Sequence, residues 1–333
     1  MSRQFPLKVA AIAAVAATGL TACGSTASAN GKTVNLVAYS VPKPAYDALA
    51  TAFAATPQGK GISINASYGA SGSQAKAAAA GQIPADLVNF STGSDLKKLV
   101  PSKVASGWDA GPTKGIVADS VVVLVVRKGN PLHITGWNDL AKPGVKIVTP
   151  DPASSGSAKW NILAAYEHVI SDGGTKAQAK AYLTSFFKNV VSRADSGSIA
   201  TQQFLSGTGD VLVSYEAEAI AARAKGADVD YVVPKENILI ETPAAVTSSA
   251  PKAAKDFLTF AESAAGQKIF AEKGFRPALS GVKASNVTGA ENPADPYPTP
   301  SKLITISSLG GWSTINDAFF GDQGIVTAIE GTK

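Results

Sequence analysis

The sequence predicts an α/β fold with mostly parallel sheets, and three observations support this prediction. Short apolar runs of strand length alternate with segments whose apolar residues recur at helical spacing. Strands and helices that alternate in this way form parallel sheets with helices packed on their faces. The chain also has 333 residues, of which 45% are hydrophobic and 17% charged, so it holds enough apolar material for more than one core.

The first part of the chain alternates strands and helices up to residue 127. The apolar run Val34–Ser40 predicts the first strand, and the apolar side chains within 46–53 then recur at i, i+3, i+4 and i+7, which predicts a helix. Next come the predicted strand Ile62–Ser67, helix Ser73–Ala80 and strand Asp86–Phe90. Val117–Arg127 is a long β-branched run and predicts a well-buried strand.

The alternation continues toward the C-terminus. The predicted strands are Val145–Pro150, Asp210–Tyr215, Tyr231–Val233 and Ile238–Glu241. The predicted helices are Ala158–Ile170, Lys176–Phe187, Ile199–Leu205, Glu216–Lys225, Pro251–Ala265, Gln267–Lys273 and Thr314–Phe320. The segment Ser280–Ser301 is rich in Pro, Asn and Gly, which predicts irregular structure.

The N-terminal segment predicts export and lipid attachment. Arg3 and Lys8 come before an apolar stretch that is too short to span a bilayer comfortably, and small residues follow it. This order is typical of a secretory signal peptide. The sequence Leu-Thr-Ala-Cys at 20–23 is similar to a bacterial lipobox. We therefore expect a signal peptide over 1–22, a lipidated Cys23 and a flexible tether over 23–33. An ordinary cleaved signal with an incidental cysteine is the alternative.

Composition excludes several classes of function. Cys23 is the single cysteine, so a disulfide framework and a cysteine metal site are excluded. The two histidines, His133 and His168, are far apart in the sequence and argue against histidine metal sites and Ser-His-Asp catalysis. The 30 basic and 25 acidic residues form no basic run, which argues against a nucleic-acid partner. We expect no cofactor and no metal.

Three loops place small residues at predicted helix starts. They are Ser67–Ser73 (SYGASGS), Asp151–Ser157 (DPASSGS) and Asp195–Ser198 (DSGS). The first N–H groups of a helix lack intrahelical partners, and the helix dipole adds partial positive charge there. Small side chains let an anion approach those N–H groups, and serine hydroxyls add donors without charge. One such loop is common as a cap or turn, but three in one α/β chain predict a small oxyanion in a cleft.

Motifs for catalysis are weak. The chain has no phosphate-binding G-x-x-x-x-G-K-[ST] loop and no G-x-S-x-G nucleophile turn. Ser73 and Lys76 have S-x-x-K spacing, but this spacing recurs elsewhere and its companion motifs are absent. Glu216 and Glu218 are interpreted as a charge pair at a helix start rather than as an acid and base. The sequence predicts a binding protein and not an enzyme, with an envelope serine hydrolase using Ser73 and Lys76 as the distant alternative.

Several segments carry a family resemblance. They are Ser67–Ala77 (SYGASGSQAKA), Val121–Pro131 (VVVLVVRKGNP), Gly136–Pro152 (GWNDLAKPGVKIVTPDP), Ser154–Leu163 (SSGSAKWNIL), Gly209–Ala219 (GDVLVSYEAEA) and Leu309–Trp312 (LGGW). In these segments and in their order the chain resembles the sulfate-binding proteins of bacterial ABC importers, the actinobacterial lipoprotein branch above all. The resemblance implies a two-lobed, type II periplasmic-binding-protein-like fold with a hinge and a central cleft. It divides the chain into lobe I over 34–115, lobe II over 116–213 and a return to lobe I over 214–333 with C-terminal helices.

The resemblance also implies the ligand contacts. In the family, sulfate is held mainly by uncharged donors, above all backbone N–H groups. Tyr215 stands where the family has a tryptophan whose indole N–H binds the anion, and Val41 keeps an N–H where the family has an aspartate before proline. The implied binding residues are Val41, Ser71, Ser155, Gly156, Ser157, Gly197, Ser198 and Tyr215, with either Gly197 or Ser198 as the donor of the third loop. Thiosulfate, molybdate and phosphate stay open as alternative ligands.

The expected function is capture of sulfate outside the cytoplasm. A pocket of donors leaves the proton of phosphate without an acceptor, at a cost of about 1–3 kcal/mol, whereas sulfate carries no proton. Asp151 and Asp195 are the carboxylates able to accept from phosphate, but both are interpreted as cap or turn residues. Lys43 is interpreted as a solvated loop residue. We expect a monomeric receptor, anchored through Cys23 to the outer face of the cell membrane, that delivers sulfate to an ABC permease and its cytoplasmic ATPase.

Overall fold

The structure is a computed structural model that describes residues 32–331. Its strands are β1 Thr33–Tyr39, β2 Ser63–Gly69, β3 Leu87–Asn89, β4 Ile116–Arg127, β5 Ile147–Pro150, β6 Val190–Ala194, β7 Val211–Tyr215, β8 Val229–Val232, β9 Glu236–Val246 and β10 Lys302–Ile304. The predicted signal peptide and the lipidation site Cys23 lie outside the described residues.

The helices alternate with these strands along most of the described chain. They are α1 Lys43–Ala54, α2 Ser71–Ala79, α3 Gly93–Lys97, α4 Trp137–Leu140, α5 Gly156–Ser171, α6 Lys176–Asn189, α7 Gly197–Leu205, α8 Glu216–Ala224, α9 Lys252–Glu262, α10 Ala264–Glu272, α11 Gly311–Ile315 and α12 Ile325–Glu330. A 3₁₀ turn spans Ser307–Leu309, and a π-helix, Asn316–Phe320, continues α11.

The strands form one continuous path in the order β2-β1-β3-β9-β4-β7-β5-β6, with β8 beside β4 and β10 beside β9. Parallel pairs occupy its two ends, where β1 pairs with β2 and β3, and β5 pairs with β6 and β7. The antiparallel pairs in the described chain all include β4 or β9. The fold therefore has two parallel half-sheets, and we call the part around β1–β3 lobe I and the part around β5–β7 lobe II.

Strands β4 and β9 connect the two lobes. The first half of β4 pairs with Leu239–Pro243 of β9, and its second half, from Val122 to Arg127, pairs with β7 and β8 of lobe II. The end of β9, Ala244–Val246, pairs with β3 of lobe I. The chain thus enters lobe II through β4 and returns through β9. The division at residues 115 and 213 stays a prediction.

Strand β9 is longer than its sequence indicates. The sequence predicts a strand over Ile238–Glu241, although Pro243, which lacks a backbone N–H, follows. The strand continues through Pro243 where the register with β4 is irregular, between Ile116 and Ala118. The Pro243 carbonyl still accepts from the N–H of Phe90 at 3.1 Å and from Asn89 Nδ2 at 2.8 Å.

The C-terminal segment packs on α5. Trp312 meets Trp160 edge-on with ring centroids 4.8 Å apart, and Phe319 meets Tyr166 in the same way at 4.8 Å. These aromatic pairs bury one face of the segment against a helix that begins at the cleft. The short α12 has too few turns for a periodic pattern to predict it.

Candidate functional site

The predicted donors lie where strands end and helices begin. In lobe I, Val41 lies between β1 and α1, and Ser71 is the first residue of α2. In lobe II, Ser155 caps α5, Gly156 opens it, and Gly197 opens α7. Because β1 and β2 are parallel, and β5 and β6 are parallel, each lobe presents its helix starts at one edge of its half-sheet.

Close contacts bring these helix starts together. A Cβ added at Gly197 would lie 3.2 Å from Val41 Cγ2 and 3.3 Å from Ser157 Oγ. The Ser157 hydroxyl lies close enough to the phenol of Tyr215 to lower its pKa, against the larger effect of burial. Val41, Ser157, Gly197 and Tyr215 therefore form one cluster, which we call the donor cluster together with Ser71, Ser155, Gly156 and Ser198. That these residues bind an anion stays a prediction.

The two lobes touch at the donor cluster. The N–H of Gly72 in lobe I donates to the Ser154 carbonyl in lobe II at 3.0 Å. The indole Nε1 of Trp160 donates to the Ser91 carbonyl at 2.8 Å, and Ser91 Oγ lies 2.8 Å from Tyr215 Oη. These bonds hold the cleft closed.

The Ser71 side chain is engaged within lobe I. Its hydroxyl donates to Asp95 Oδ2 at 2.7 Å and accepts from the Ser91 N–H at 3.0 Å. The predicted contact of Ser71 with a ligand therefore falls to its backbone N–H, at the start of α2. By contrast, the hydroxyl of Ser155 makes no capping bond and is available to a ligand.

Tyr215 is a buried phenol at the centre of the lobe contact. Its side chain is fully buried, and burial raises its pKa well above the ordinary value. The phenol therefore keeps its proton at neutral pH. The Ser91 contact leaves open which of the two oxygens donates.

Glu218 is a buried acid that the sequence analysis did not place at the site. It is 8% exposed, and Ser214 Oγ donates to its Oε2 at 2.8 Å. Burial raises the pKa of this carboxyl, and the nearby hydroxyls of Ser214, Thr201 and Ser198 oppose that shift. Oε2 lies 3.0 Å from a Cβ added at Gly197, so the acid borders the donor cluster.

Two further residues, Ser91 and Asp95, were also missed. Both follow β3, the third parallel strand of lobe I. Their position just after a predicted strand is the sequence feature that could have identified them as site residues. The helix after them, α3, has five residues, which is too short for a periodic pattern. The expected turn role of Asp151 is confirmed, because its Oδ1 accepts from the N–H of Ala153 at 2.8 Å.

The donor cluster is uncharged apart from its acidic neighbours. Within residues 32–331, no lysine or arginine hydrogen-bonds any of the eight predicted binding residues. Lys43 instead pairs with Asp47 at 2.7 Å on the surface. The same range contains no group of side chains suited to a metal ion, and none of its helices has the length and apolarity to cross a bilayer.

Comparisons with known proteins agree with this architecture. The model of a family described as bacterial extracellular solute-binding protein matches residues 34–276. A sulfate-binding protein of Synechococcus elongatus is 38% identical, over 97% of this chain and 95% of its own length. A thiosulfate-binding protein of Pseudomonas aeruginosa is 30% identical, over 82% of this chain and 83% of its own length.

A solved structure is similar over most of the fold. The sulfate-binding protein SubI from Mycobacterium tuberculosis H37Rv superposes with a TM-score of 0.81 at 43% identity. The match covers 87% of this chain and 99% of that one. Together with the family match, it confirms the predicted two-lobed α/β fold.

Proposed function

The chain belongs to the bacterial extracellular solute-binding proteins, and on that premise we propose that it captures sulfate in the cleft and delivers it to an ABC permease. The family consists of binding proteins, which confirms the prediction that this chain is not an enzyme. The observation that carries the proposal is the meeting of helix starts from both lobes in one uncharged donor cluster.

Neutral donors suit a small anion that carries no proton. Backbone N–H groups at the starts of α2, α5 and α7 have no intrahelical partners, so a bound oxyanion satisfies them. Sulfate accepts at every oxygen. Hydrogen phosphate brings a proton that needs an acceptor, and a missing acceptor costs about 1–3 kcal/mol.

Binding favours the closed arrangement because the ligand needs donors from both lobes. Ser71 belongs to lobe I, whereas Gly156 and Gly197 belong to lobe II. An anion that contacts all three has more partners in the closed form, so its binding shifts the population toward closure. The permease then distinguishes loaded from empty receptor by shape.

The receptor acts outside the cytoplasm. In our proposal, lipid on Cys23 anchors it to the outer face of the cell membrane, and the small residues of 23–33 form the tether. Multiple acyl chains hold a protein firmly, because each buried CH₂ contributes about 0.8 kcal/mol. A tethered monomer also stays at high effective concentration near its permease.

Thiosulfate is the second candidate ligand. The Pseudomonas aeruginosa relative is named for it, and it is also a small tetrahedral dianion. Competition calorimetry, with thiosulfate titrated into sulfate-loaded protein, ranks the two ligands.

Thermal unfolding of the purified protein with sulfate or phosphate tests the proposal. We expect sulfate to raise the unfolding temperature, since a ligand that binds only the folded state stabilises it by about 2.7 kcal/mol at 100 times its Kd. Phosphate at the same ionic strength should leave that temperature unchanged. A sulfate series without a shift would rule out sulfate as the ligand.

A further inference from the structure

A cavity of about 240 Å³ lies directly beside the donor cluster. Its wall includes Ser155 and Gly156, which belong to the donor cluster, and Gly72, which contacts Ser154 across the lobes. Three lysines line the rest of this cavity, Lys76 from α2, Lys98 after α3 and Lys159 from α5. We call this cavity the basic pocket.

The basic pocket has an excess of positive charge. Its one carboxylate, Asp95, pairs with Lys98 at 2.6 Å. Lys159 is half-buried, donates to Asn316 Oδ1 at 2.7 Å and lies 4.9 Å from the Phe320 ring centre. Lys76 is exposed and has no charged partner within residues 32–331. Three ammonium groups and one carboxylate leave a net charge that matches a dianion.

The lysines are close enough to affect each other. Burial lowers the pKa of Lys159, and the charges of Lys98 and Lys76 lower it further, although Asp95 opposes them. A doubly negative guest among these ammonium groups relieves their repulsion.

We propose that the basic pocket is an outer capture site for the same tetrahedral dianion that the donor cluster binds, an inference that rests on the proposed function. Full charges attract an anion from a distance, whereas neutral dipoles act only at contact. The outer site speeds the encounter, and the donor cluster supplies the tight binding. Asp95 links the two sites, because it holds both Lys98 and the hydroxyl of Ser71.

Charge reversal at Lys76 tests this inference with the least disturbance, because that side chain has no charged partner in the part of the chain that the structure describes. Association of sulfate is followed by stopped-flow tryptophan fluorescence, since Trp160 donates across the lobe contact. Lys255→Glu is the matched control, an exposed lysine on α9 that does not line the pocket. Calorimetry on the wild type establishes that sulfate binds.

The expected result is slower association for Lys76→Glu than for the wild type and the control. The rate constant should fall about 3–10-fold at low ionic strength, and the difference should vanish near ~0.5 M salt, where screening is strong. The neutral variant Lys76→Gln should lie between. Equal rates for Lys76→Glu and Lys255→Glu would overturn the outer site while leaving the proposed function intact. Absence of sulfate binding to the wild type would instead overturn the proposed function and, with it, this inference.

Discussion

Two carboxylates on the first turn of α8 have opposite surroundings. Glu216 is fully buried and forms two hydrogen bonds with Arg276, from Nε at 2.7 Å and from Nη2 at 3.0 Å. Glu218 borders the donor cluster, accepts a hydrogen bond from the Ser214 hydroxyl, and has no lysine or arginine partner within residues 32–331. Both positions at the helix start agree with the sequence interpretation, but their partners differ completely.

The difference shows where this protein uses full charges. The Glu216–Arg276 pair joins α8 to the segment after α10, and neither side chain hydrogen-bonds a predicted binding residue. At the cleft, a permanent cation would pair with Glu218 and would therefore be neutralised before an anion arrives. Neutral donors avoid the cost of burying a full charge in the empty site.

Removing the cation from the structural pair should have the largest effect. Arg276→Met leaves Glu216 buried and unpaired, so we expect a loss of about 3–5 kcal/mol in the free energy of unfolding, measured with urea. The exposed pair of Lys252 and Asp256 supplies the control, and Lys252→Met should cost at most ~1 kcal/mol. Equal losses in the two variants would contradict the contrast between buried and exposed pairs.

A methyl group added at the cleft should weaken sulfate binding. A Cβ at Gly156 would lie 2.7 Å from Ser91 Oγ and 2.8 Å from Ser91 Cβ, and these atoms belong to the opposite lobe. Gly156→Ala should therefore hinder closure and weaken sulfate binding by about 100-fold, measured by calorimetry. Gly136→Ala, at a glycine with open space around its Cβ, should bind as the wild type does. Unchanged affinity of Gly156→Ala would show that closure does not require this contact.

A third carboxylate, Asp119, belongs to a residue whose backbone pairs with that of Arg276, but its side chain forms no ion pair with Arg276. Asp119 on β4 faces Glu241 on β9, and burial, with Glu241 adding to it, raises the pKa of Asp119 to about 7 against an opposing effect of Arg276. Burial also raises the pKa of Glu241, which Lys114 opposes.

This arrangement predicts stability that falls as pH rises. The pKa of Asp119 in the folded state exceeds its unfolded value of 3.8. The native state therefore binds more protons than the unfolded state between about pH 4 and 7. Asp119→Asn should flatten the decline and be more stable than the wild type at pH 8 by about 1–3 kcal/mol. Asp109→Asn makes the same charge change at an exposed position and should keep the wild-type pH profile. Identical profiles for all three proteins would contradict the role of Asp119.

Removing the charge of Glu218 should produce the smallest of these effects. A bound dianion raises the pKa of this nearby carboxyl further, so binding takes up a proton. Binding therefore weakens as pH rises through the pKa of the unliganded carboxyl, which burial already holds above the ordinary value of 4.5. Glu218→Gln should bind sulfate up to about 10-fold more tightly at pH 8 and lose this pH dependence. Glu262→Gln removes another acid whose pKa is raised by burial, away from the cleft, and should behave as the wild type. Weaker binding by Glu218→Gln would mean that the carboxylate assists the anion.

Local signals made much of the fold and part of the site predictable. The long β-branched run of β4 and the serine–glycine loops before α2, α5 and α7 depend on neighbours in sequence. The bond from Ser71 to Asp95 spans 24 residues, and the contact of Ser91 with Tyr215 spans 124. Such pairs arise from packing between segments, so single-sequence patterns do not reveal them.

The same reason explains the missed acid. Glu218 looks like any acidic residue at a helix start, where it is favourable in itself. Its position beside Gly197 depends on how α7 and α8 pack in lobe II, which no local pattern encodes.

Crystals soaked in selenate test the central claim most directly, because this tetrahedral dianion carries an anomalous scatterer. The account predicts one strong anomalous peak in the cleft, with selenate oxygens about 2.7–3.2 Å from the N–H groups of Ser71, Gly156 and Gly197 and no lysine or arginine nitrogen at that distance. A strong peak held by ammonium or guanidinium groups, with the donor cluster empty, would contradict it.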